Sequence, residues 1–482
     1  MKKVIFILIF VVSNILAKDI KIDIEQAISM ALENNHLNKI SKINLEIAQA
    51  QYEQALSANY PSLNAVLYAN RDDTDTIFQQ RGVFTLSSEL TKTLALANTL
   101  GAIRDATQAS IASTPASSFP TGTLSADIDT IAKGRDTARG SLELNYAIYS
   151  GGKIEAIINQ AKLNKEVAKT SIVRSENEVT FDVKKYYYGY VLTNELYKLV
   201  SKIHKNMDFS TTLAKDFLEH SSNLKINKTD YLNVKLTTSL LQSTLTKLDL
   251  NKQMLKSAMA NLIGLNWDDE IEIEYKEDEI LNQNISLQKM IERAYISNPD
   301  MNKINLAVQI KEEQISESQA ANYPQVGLFG NINKTYNSYE YGYLNKDNEN
   351  SWNIGIAVKM SLFDGFRTKN DILEKQLNKK VIEEQKILFE EALALQLKNE
   401  FLTSTIGYKQ IKILKDSVDI AIENSELNLS GFQYEMVEAK DLIQSQLMET
   451  YVKADYLKNI HDYLLSLATI DKLVGDKINE NF

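Results

Sequence analysis

Hydrophobic positions along the chain follow two different periods. Val179, Val183, Tyr186 and Tyr190 step by threes and fours, and Leu447, Tyr451, Ala454, Leu457, Leu464 and Ala468 do the same with one step of seven. This spacing predicts one face of a packed helix, close to coiled-coil periodicity. Elsewhere the period is two. Trp352, Ile354, Ile356, Val358, Met360 and Leu362 alternate with Asn353, Gly355, Ala357, Lys359 and Ser361. Leu142, Leu144, Tyr146 and Ile148 alternate with Ser141, Glu143, Asn145 and Ala147. Leu63, Ala65 and Leu67 begin a third run, and Val326, Leu328, Gly330 and Ile332 a fourth. These runs predict four strands with one apolar and one polar face, each about 10 residues, the length of a tilted membrane strand.

All five prolines (Pro61, Pro115, Pro120, Pro299, Pro324) fall outside two long stretches, Lys153 to Ile263 and Phe366 to Val474. Those stretches hold only Gly189, Gly407 and Gly431. Proline costs about 3 kcal/mol inside a helix and glycine about 1 kcal/mol, so their scarcity predicts long helices. A helix from Lys153 to about Asn223 would be roughly 105 Å long at about 1.5 Å per residue, too long for a globular domain and suited to a tube or stalk.

The chain also repeats itself. Asn59-Tyr60-Pro61 recurs as Asn322-Tyr323-Pro324, and Asn35 matches Asn298, both at an offset of 263. Gly151 matches Gly365 at 214, while Asp230 matches Asp441 and Gly264 matches Gly475 at 211. Three blocks therefore recur in order: a helix ending in Tyr-Pro, a strand pair ending in Gly, and a long helical pair ending in Gly. The change of offset locates an insertion at about 70–139, rich in Ala, Thr, Ser and Asp, which reads as a long external loop with a helical piece near Leu90–Ala109.

Composition and charge narrow the class. Lys2 and Lys3 precede the apolar run Val4–Val12 and a cleavage site after Ala17, the layout of a signal peptide over 1–17. No cysteine is present, which excludes thiol chemistry and a lipid anchor on an N-terminal Cys. The net charge is −10 with no basic stripe, which argues against nucleic acid as a partner. No later stretch of about 18 apolar residues occurs, so entry into a membrane requires strands. Four strands alone leave unpaired edges, and the smallest single-chain barrels have about 8. A membrane barrel is then shared between chains, in a number the sequence does not fix.

Signal peptide, helix, Tyr-Pro, strand pair ending in Gly, long helices and then the same order again resembles the TolC-like outer-membrane factors. The sharpest segments are Phe432–Gln446, similar to the family's second helical turn, and His461–Leu465 with Leu473-Val474-Gly475, similar to its closing helix. The resemblance implies an α+β membrane protein. Three chains close a trimeric 12-stranded β-barrel, four strands per chain, which continues into an antiparallel α-helical coiled-coil barrel in the periplasm. It implies two structural repeats, 18–264 and 287–475, a connector at 265–286 and a tail at 476–482. Trp267–Tyr275 and the tail would form an equatorial belt. The implied activity is a passive exit duct for efflux or type I secretion. Its partners would be a periplasmic adaptor, an energised inner-membrane transporter and outer-membrane lipid, with no cofactor.

The candidate residues follow from this frame. Asp441 is either one carboxylate of a gate ring or an N-terminal helix cap, with Gln444 where some relatives carry a second acid. Asp230, with Asn227-Lys228-Thr229 before it, favours the cap. Lys228, Asp230, Tyr434, Glu435 and Lys440 lie at the turns where an adaptor would dock. Glu435 and Leu224 stand where the family usually has glycine. Glu143, Asn145, Asn353 and Lys359 are lumen candidates, provided the register holds, since a slip of one residue inverts every facing. His36, His204, His220 and His461 are dispersed and form no metal-ligating pair. Gly151-Gly152-Lys153 lacks the Ser or Thr of a phosphate loop and reads as a strand-to-helix turn. No catalytic constellation emerges, and the expectation is a non-enzyme. The competing reading is an exported coiled-coil structural or adaptor protein without a pore, which would not need the alternating strands.

Overall fold

The computed structural model describes residues 20–80, 83–85, 87–98, 114–121, 123–125, 128–220, 226–274 and 286–476. The signal peptide, Leu224, Tyr275, the tail beyond Asp476 and part of the long connection lie outside them. The strands are β1 (Ile20–Ile22), β2 (Ser62–Arg71), β3 (Thr76–Gln80), β4 (Val83–Thr85), β5 (Thr123–Ser125), β6 (Ile128–Lys133), β7 (Asp136–Tyr149), β8 (Ile271–Ile273), β9 (Gln325–Asn337) and β10 (Asn350–Lys359). The helices are α1 (Ile24–Asn34), α2 (His36–Leu56), α3 (Ser88–Asn98), α4 (Lys153–His220), α5 (Lys228–Leu262), α6 (Leu287–Ser297), α7 (Pro299–Gln319), α8 (Arg367–Gln433) and α9 (Ala439–Val474). With 68 and 67 residues, α4 and α8 are the long helices that the missing prolines predict. None of the described helices is long and apolar enough to cross a membrane. The chain divides into two compact units, Met1–Glu46 with Val167–Asn305 and Glu384–Phe482, and Ile47–Glu166 with Leu306–Glu383.

The second unit holds the sheet. Its order is β10-β9-β7-β2, all antiparallel, which leaves β10 and β2 as edges. The register keeps the predicted faces apart. One rung aligns Asn64, Glu143, Asn331 and Asn353; the next toward β2's tip aligns Ala65, Leu142, Ile332 and Trp352. The apolar face is uncovered: Leu67 is 89 % exposed and Trp352 74 %, with Leu63, Ile332, Ile354, Ile356 and Val358 also exposed. β10 stops at Lys359, short of the predicted Leu362, because the chain turns there toward Gly365. The long connection is more ordered than a loop reading allows. β3 pairs with β6 and β4 with β5, extending the β2–β7 hairpin, and α3 follows β4.

The same local solution is used at both strand-to-helix turns. Gly151 and Gly365 have φ of 69° each, the left-handed region open to glycine. The Ile154 N–H donates to the Ser150 hydroxyl at 3.0 Å before α4. The Thr368 N–H and hydroxyl both donate to the Asp364 carboxylate, at 2.9 and 2.5 Å, before α8. These bonds, first the Thr368 hydroxyl and then its amide, hold the Asp364 carboxyl below its usual range.

In the first unit, two apolar clusters are built from positions displaced by the offsets read in the sequence. Ala27, Ala31, Val179, Val183, Met259 and Ile263 form one. Met290, Ala294, Leu393, Leu397, Ile470 and Val474 form the other. Beside the first, β1 pairs in parallel with β8, which packs Ile22, Ile271 and Ile273 into that cluster. Asn35 ends α1 and donates to the Leu262 carbonyl at 3.1 Å; Asn298 ends α6 and donates to the Leu473 carbonyl at 2.8 Å. Each amide oxygen also receives a backbone N–H of the following helix, Leu37 at 2.8 Å and Met301 at 2.9 Å. Gly264 and Gly475 close the long helices with φ of 85° and 83°. A Cβ on Gly264 would strike the Asn34 side chain, and one on Gly475 would lie 2.6 Å from the Ser297 carbonyl.

Not every predicted face is the packed one. Val179 and Val183 are fully buried, but Leu447 and Tyr451 are exposed, Tyr451 by 70 %. The buried stripe of this part of α9 is instead Leu442, Ser445, Gln446 and Glu449. On α8, Leu397, Ser404, Ile411, Val418, Ser425 and Phe432 recur every seven residues and are buried. A second heptad stripe, Ile406, Ile413, Ile420 and Leu427, is exposed. An α-helix apolar on two faces, one of them uncovered, is the pattern of a helix with a second partner.

Asn298 is 5 % exposed, so its loss strands two buried backbone groups. Asn298→Ala is expected to cost roughly 1–3 kcal/mol, read as a lower denaturation midpoint. An unchanged midpoint would contradict the closing role given to this side chain.

Candidate functional site: the polar sheet face and the helical turns

Alternation in β7 and β10 puts Glu143, Asn145, Asn353 and Lys359 on one face of the sheet. Glu143 and Asn353 share a rung through Asn331; Asn145 lies opposite Phe329, and Lys359 stands apart opposite Gln325. The face is a hydrogen-bonded layer. The Asn333 amide donates to the Asn331 amide oxygen at 2.6 Å, and the Ser141 hydroxyl to Glu143 at 3.3 Å. Asn331 and Asn333 are each 6 % exposed, which is tolerable for amides only because they bond to one another. Beyond the strand end, Lys133 and then Asn70 bond the Asp72 carboxylate and hold its carboxyl below the usual range.

The two helical turns share one apolar cluster. Ile226, Val234, Phe432, Ala439 and Leu442 pack together, with the Phe217 and Phe432 rings edge to face at 6.3 Å. The first turn is a complete capping box. The Asn227 side chain accepts from the Thr229 and Asp230 N–H groups at 2.8 and 3.0 Å, and the Asp230 carboxylate accepts the Asn227 N–H at 3.0 Å. Lys228 is exposed beside it.

The second turn is built differently. The Met436 N–H donates to the Gly431 carbonyl at 2.8 Å and the Glu435 N–H to the Phe432 carbonyl at 3.1 Å, a Schellman arrangement. Glu435 takes φ of 57° and so adopts the conformation a glycine would supply. The left-handed position of the turn is thus held by a glutamate. Glu438 caps α9 without a side-chain bond. Asp441 lies in the first turn of α9 with an exposed carboxylate, which among the described residues meets no hydrogen-bond or ion-pair partner. Gln444, Lys440 and Tyr434 are exposed around it. The two aspartates at offset 211 thus sit in unlike surroundings.

A polar layer behind the turns escapes a sequence reading. Gln446 and Glu449 occupy core positions of α9, 0 % and 1 % exposed. Gln446 donates to the Ser425 hydroxyl at 2.8 Å and accepts from Asn206 at 3.3 Å; Lys202 approaches Glu449 at 3.1 Å. The available signal was their phase: Leu442, Gln446 and Glu449 continue one helical stripe. Further along the same unit, a cavity of about 160 Å³ has Arg174, Glu178 and Asp300 on one side and Phe389, Leu393 and Leu473 in its lining, and Arg174 bonds Asp300 at 2.8 Å and Glu178 at 3.1 Å. Nearby, burial pushes the Asp182 carboxyl up against the opposing pull of Lys472. Among the described residues no group of three or more His, Asp or Glu side chains is placed to hold a metal ion.

Comparison with known proteins agrees with this architecture. Residues 290–476 match the family model described as outer membrane efflux protein. A membrane protein from Pseudomonas aeruginosa has a similar fold, with a TM-score of 0.72 at 15% identity, covering 95% of this chain and 91% of that one. The CmeC outer membrane channel of Campylobacter jejuni gives 0.72 at 13% identity, covering 94% and 85%. The outer membrane protein VceC of Vibrio cholerae gives 0.69 at 13%, covering 94% and 96%. No curated protein matches the sequence. The resemblance read from the sequence is thereby met: residues 290–476 are similar to outer membrane efflux proteins, on a fold shared with TolC-family outer-membrane channels.

The unlike environments of the aspartates give a paired expectation. Asp230→Ala removes the capping-box acceptor and should lower stability by about 0.5–2 kcal/mol. Asp441→Ala should leave the denaturation midpoint within about 0.5 kcal/mol, as surface changes do. The opposite ranking of the two midpoints would refute these assignments.

Proposed function

We propose that this protein is a passive outer-membrane exit duct, working in a tripartite efflux or type I secretion assembly. A periplasmic adaptor and an energised inner-membrane transporter complete that assembly. The observation that carries the reading is the four-stranded sheet: one exposed apolar face, one polar face, and two unpaired edges. In hydrocarbon each unpaired backbone group costs several kcal/mol, so such a sheet spans a bilayer only by joining copies of itself edge to edge. Three copies make a 12-stranded barrel with Glu143, Asn145, Asn353 and Lys359 lining its lumen. The exposed heptad stripe of α8 and the exposed Leu232, Leu236 and Leu240 of α5 supply seams between copies.

Paired asparagines, paired glycines and paired apolar clusters at fixed offsets support two structural repeats per chain, 18–264 and 287–475. The protein sits in the outer membrane through strands, with its helices in the periplasm. Lys228, Tyr434, Glu435 and Lys440 form the adaptor-docking surface, with Asp230 holding its first turn. Asp441, unbonded and exposed, contributes one carboxylate of the periplasmic gate, with Gln444 beside it. A pore-free coiled-coil protein would account for the helices but leave Trp352, Ile354 and Ile356 facing water.

Purified protein reconstituted in planar bilayers is expected to conduct and to run as a heat-sensitive oligomer; no conductance and no oligomer would end the duct reading. Asp441→Ala should weaken block of the pore by multivalent cations. The double substitution Ile413→Asp and Ile420→Asp puts charge in the uncovered seam, and sedimentation should report monomers in place of trimers.

A further inference from the structure

The two strand hairpins pair in the same register once the repeat offsets are applied. Ser62 on β2 faces Asn145 on β7; offsets of 263 and 214 carry these residues to Gln325 and Lys359, which face each other on β9 and β10. Leu67 and Gly140 carry in the same way to Gly330 and Ile354, again a pair. β2 and β9 are therefore equivalent strands, as are β7 and β10. The junction between the hairpins, β7 with β9, then has one equivalent left: β10 with β2, the two strands that are edges in a single chain. The strand lengths point the same way. β7 runs on past Asn145, where β2 begins, to Tyr149, and is held there by β9 alone. β10 ends at Lys359, level with the start of β9. Residues 360–363 lie in no strand, with Leu362 90 % and Phe363 75 % exposed.

We infer that β10 of one copy pairs with β2 of a second copy in the register that β7 and β9 keep inside the chain, with Lys359 opposite Val66, Val358 opposite Leu67 and Ala357 opposite Tyr68. These are the internal pairs Asn145–Phe329, Leu144–Gly330 and Glu143–Asn331, shifted by the same offsets. The pairing rests on the duct reading, which supplies the second copy, and goes beyond it by fixing the residues that meet. Faces stay matched. Val358 and Leu67, 66 % and 89 % exposed in one chain, come together on the apolar side, and Lys359 and Ala357 meet their partners on the polar side. A slip of one residue would set apolar against polar faces, so the competing registers are displaced by two residues, one way or the other. In the inferred register residues 360–363 lie beside 62–65 of the neighbouring copy. β10 gains there the support that β9 gives the end of β7. Every junction between hairpins, inside and between chains, then carries one stagger, and stagger sets strand tilt and barrel width.

The test is disulfide trapping in the full-length protein, which contains no cysteine of its own. Lys359→Cys is combined with Asn64→Cys, Val66→Cys or Tyr68→Cys, and Ala357→Cys with Val66→Cys, Tyr68→Cys or Asn70→Cys. Within one chain β10 and β2 are separated by β9 and β7, about 14 Å at roughly 4.8 Å per strand, so a disulfide between them joins two copies. After mild oxidation in membranes, Lys359→Cys with Val66→Cys and Ala357→Cys with Tyr68→Cys should give covalent oligomers on denaturing gels. Their yield should be about threefold or more that of the displaced pairs, since opposed residues lie about 5 Å apart and diagonal ones about 7–8 Å. Glu143→Cys with Asn331→Cys, the matching rung inside the chain, should close in the same membranes and shows that oxidant reaches this depth. Either rung decides the register should the other variant not assemble. Highest yield with Asn64→Cys and Val66→Cys in the two series, or with Tyr68→Cys and Asn70→Cys, places the seam two residues away and overturns the inference, leaving the duct reading intact. Equal yields at all pairs overturn it as well, and so does no yield from a protein that conducts and closes the internal pair. Wild-type protein that is monomeric by sedimentation and forms no pore removes the duct reading and this register together, before any cysteine is introduced.

Discussion

An open antiparallel sheet with ten-residue edges cannot rest alone in either solvent it could meet. In water, Leu67, Trp352 and Ile354 stay exposed; in lipid, the free N–H and C=O groups of β2 and β10 are stranded. Copies joined through those edges satisfy both demands at once. The helices show the same incompleteness in another form. α8 buries one heptad stripe, Leu397 to Phe432, within the chain and leaves another, Ile406 to Leu427, uncovered. Strands and helices of one chain are thus unfinished in the same sense, and the proposed trimer completes both.

Much of this was legible in the sequence because it depends on short-range rules. Alternation fixed the four strands and their faces, and the positions of Pro and Gly bounded the long helices to within a few residues. Asn35, Asn298, Gly264 and Gly475 could be paired by offset before their hydrogen bonds were known. What stayed hidden depends on partners far away in sequence. β3 to β6 are each only 3 to 6 residues long, too short for alternation to mark them, so their pairing leaves no sequence signature. Leu447 and Tyr451 have the right spacing for a core, but no described residue of the chain covers them. Gln446 and Glu449 look like surface residues until α4 and α8 bring Asn206, Ser425 and Lys202 against them. Glu435 hides a left-handed turn because the residue type that advertises one is absent.

The helical turns show how a repeated motif can hold one residue type in two roles. Asp230 spends its carboxylate on the backbone of its own cap, so its geometry is fixed and its hydrogen-bonding capacity is partly used. Asp441 has no such obligation among the described residues, because the Schellman turn before it and Glu438 at the cap leave it outside the local bonding pattern. A carboxylate free of local bonds is the one available to ions or to a neighbouring chain. The chemistry of the proposed mouth thus follows from where the backbone does not need a side chain.

The two closing asparagines also dictate an order of events during synthesis and export. Asn35 waits for the Leu262 carbonyl, 227 residues later, and Asn298 for that of Leu473, 175 residues later. Contacts of that sequence separation fold slowly, since a long loop must be closed before they form. The first junction is complete in the chain before the second has begun, so the amino-terminal half has the means to settle its own core while the rest is still being delivered. The second junction closes only when the last helix arrives. A chain truncated before α9 would therefore keep one finished core and present the other as an open apolar trough, the kind of species that periplasmic chaperones hold and proteases remove.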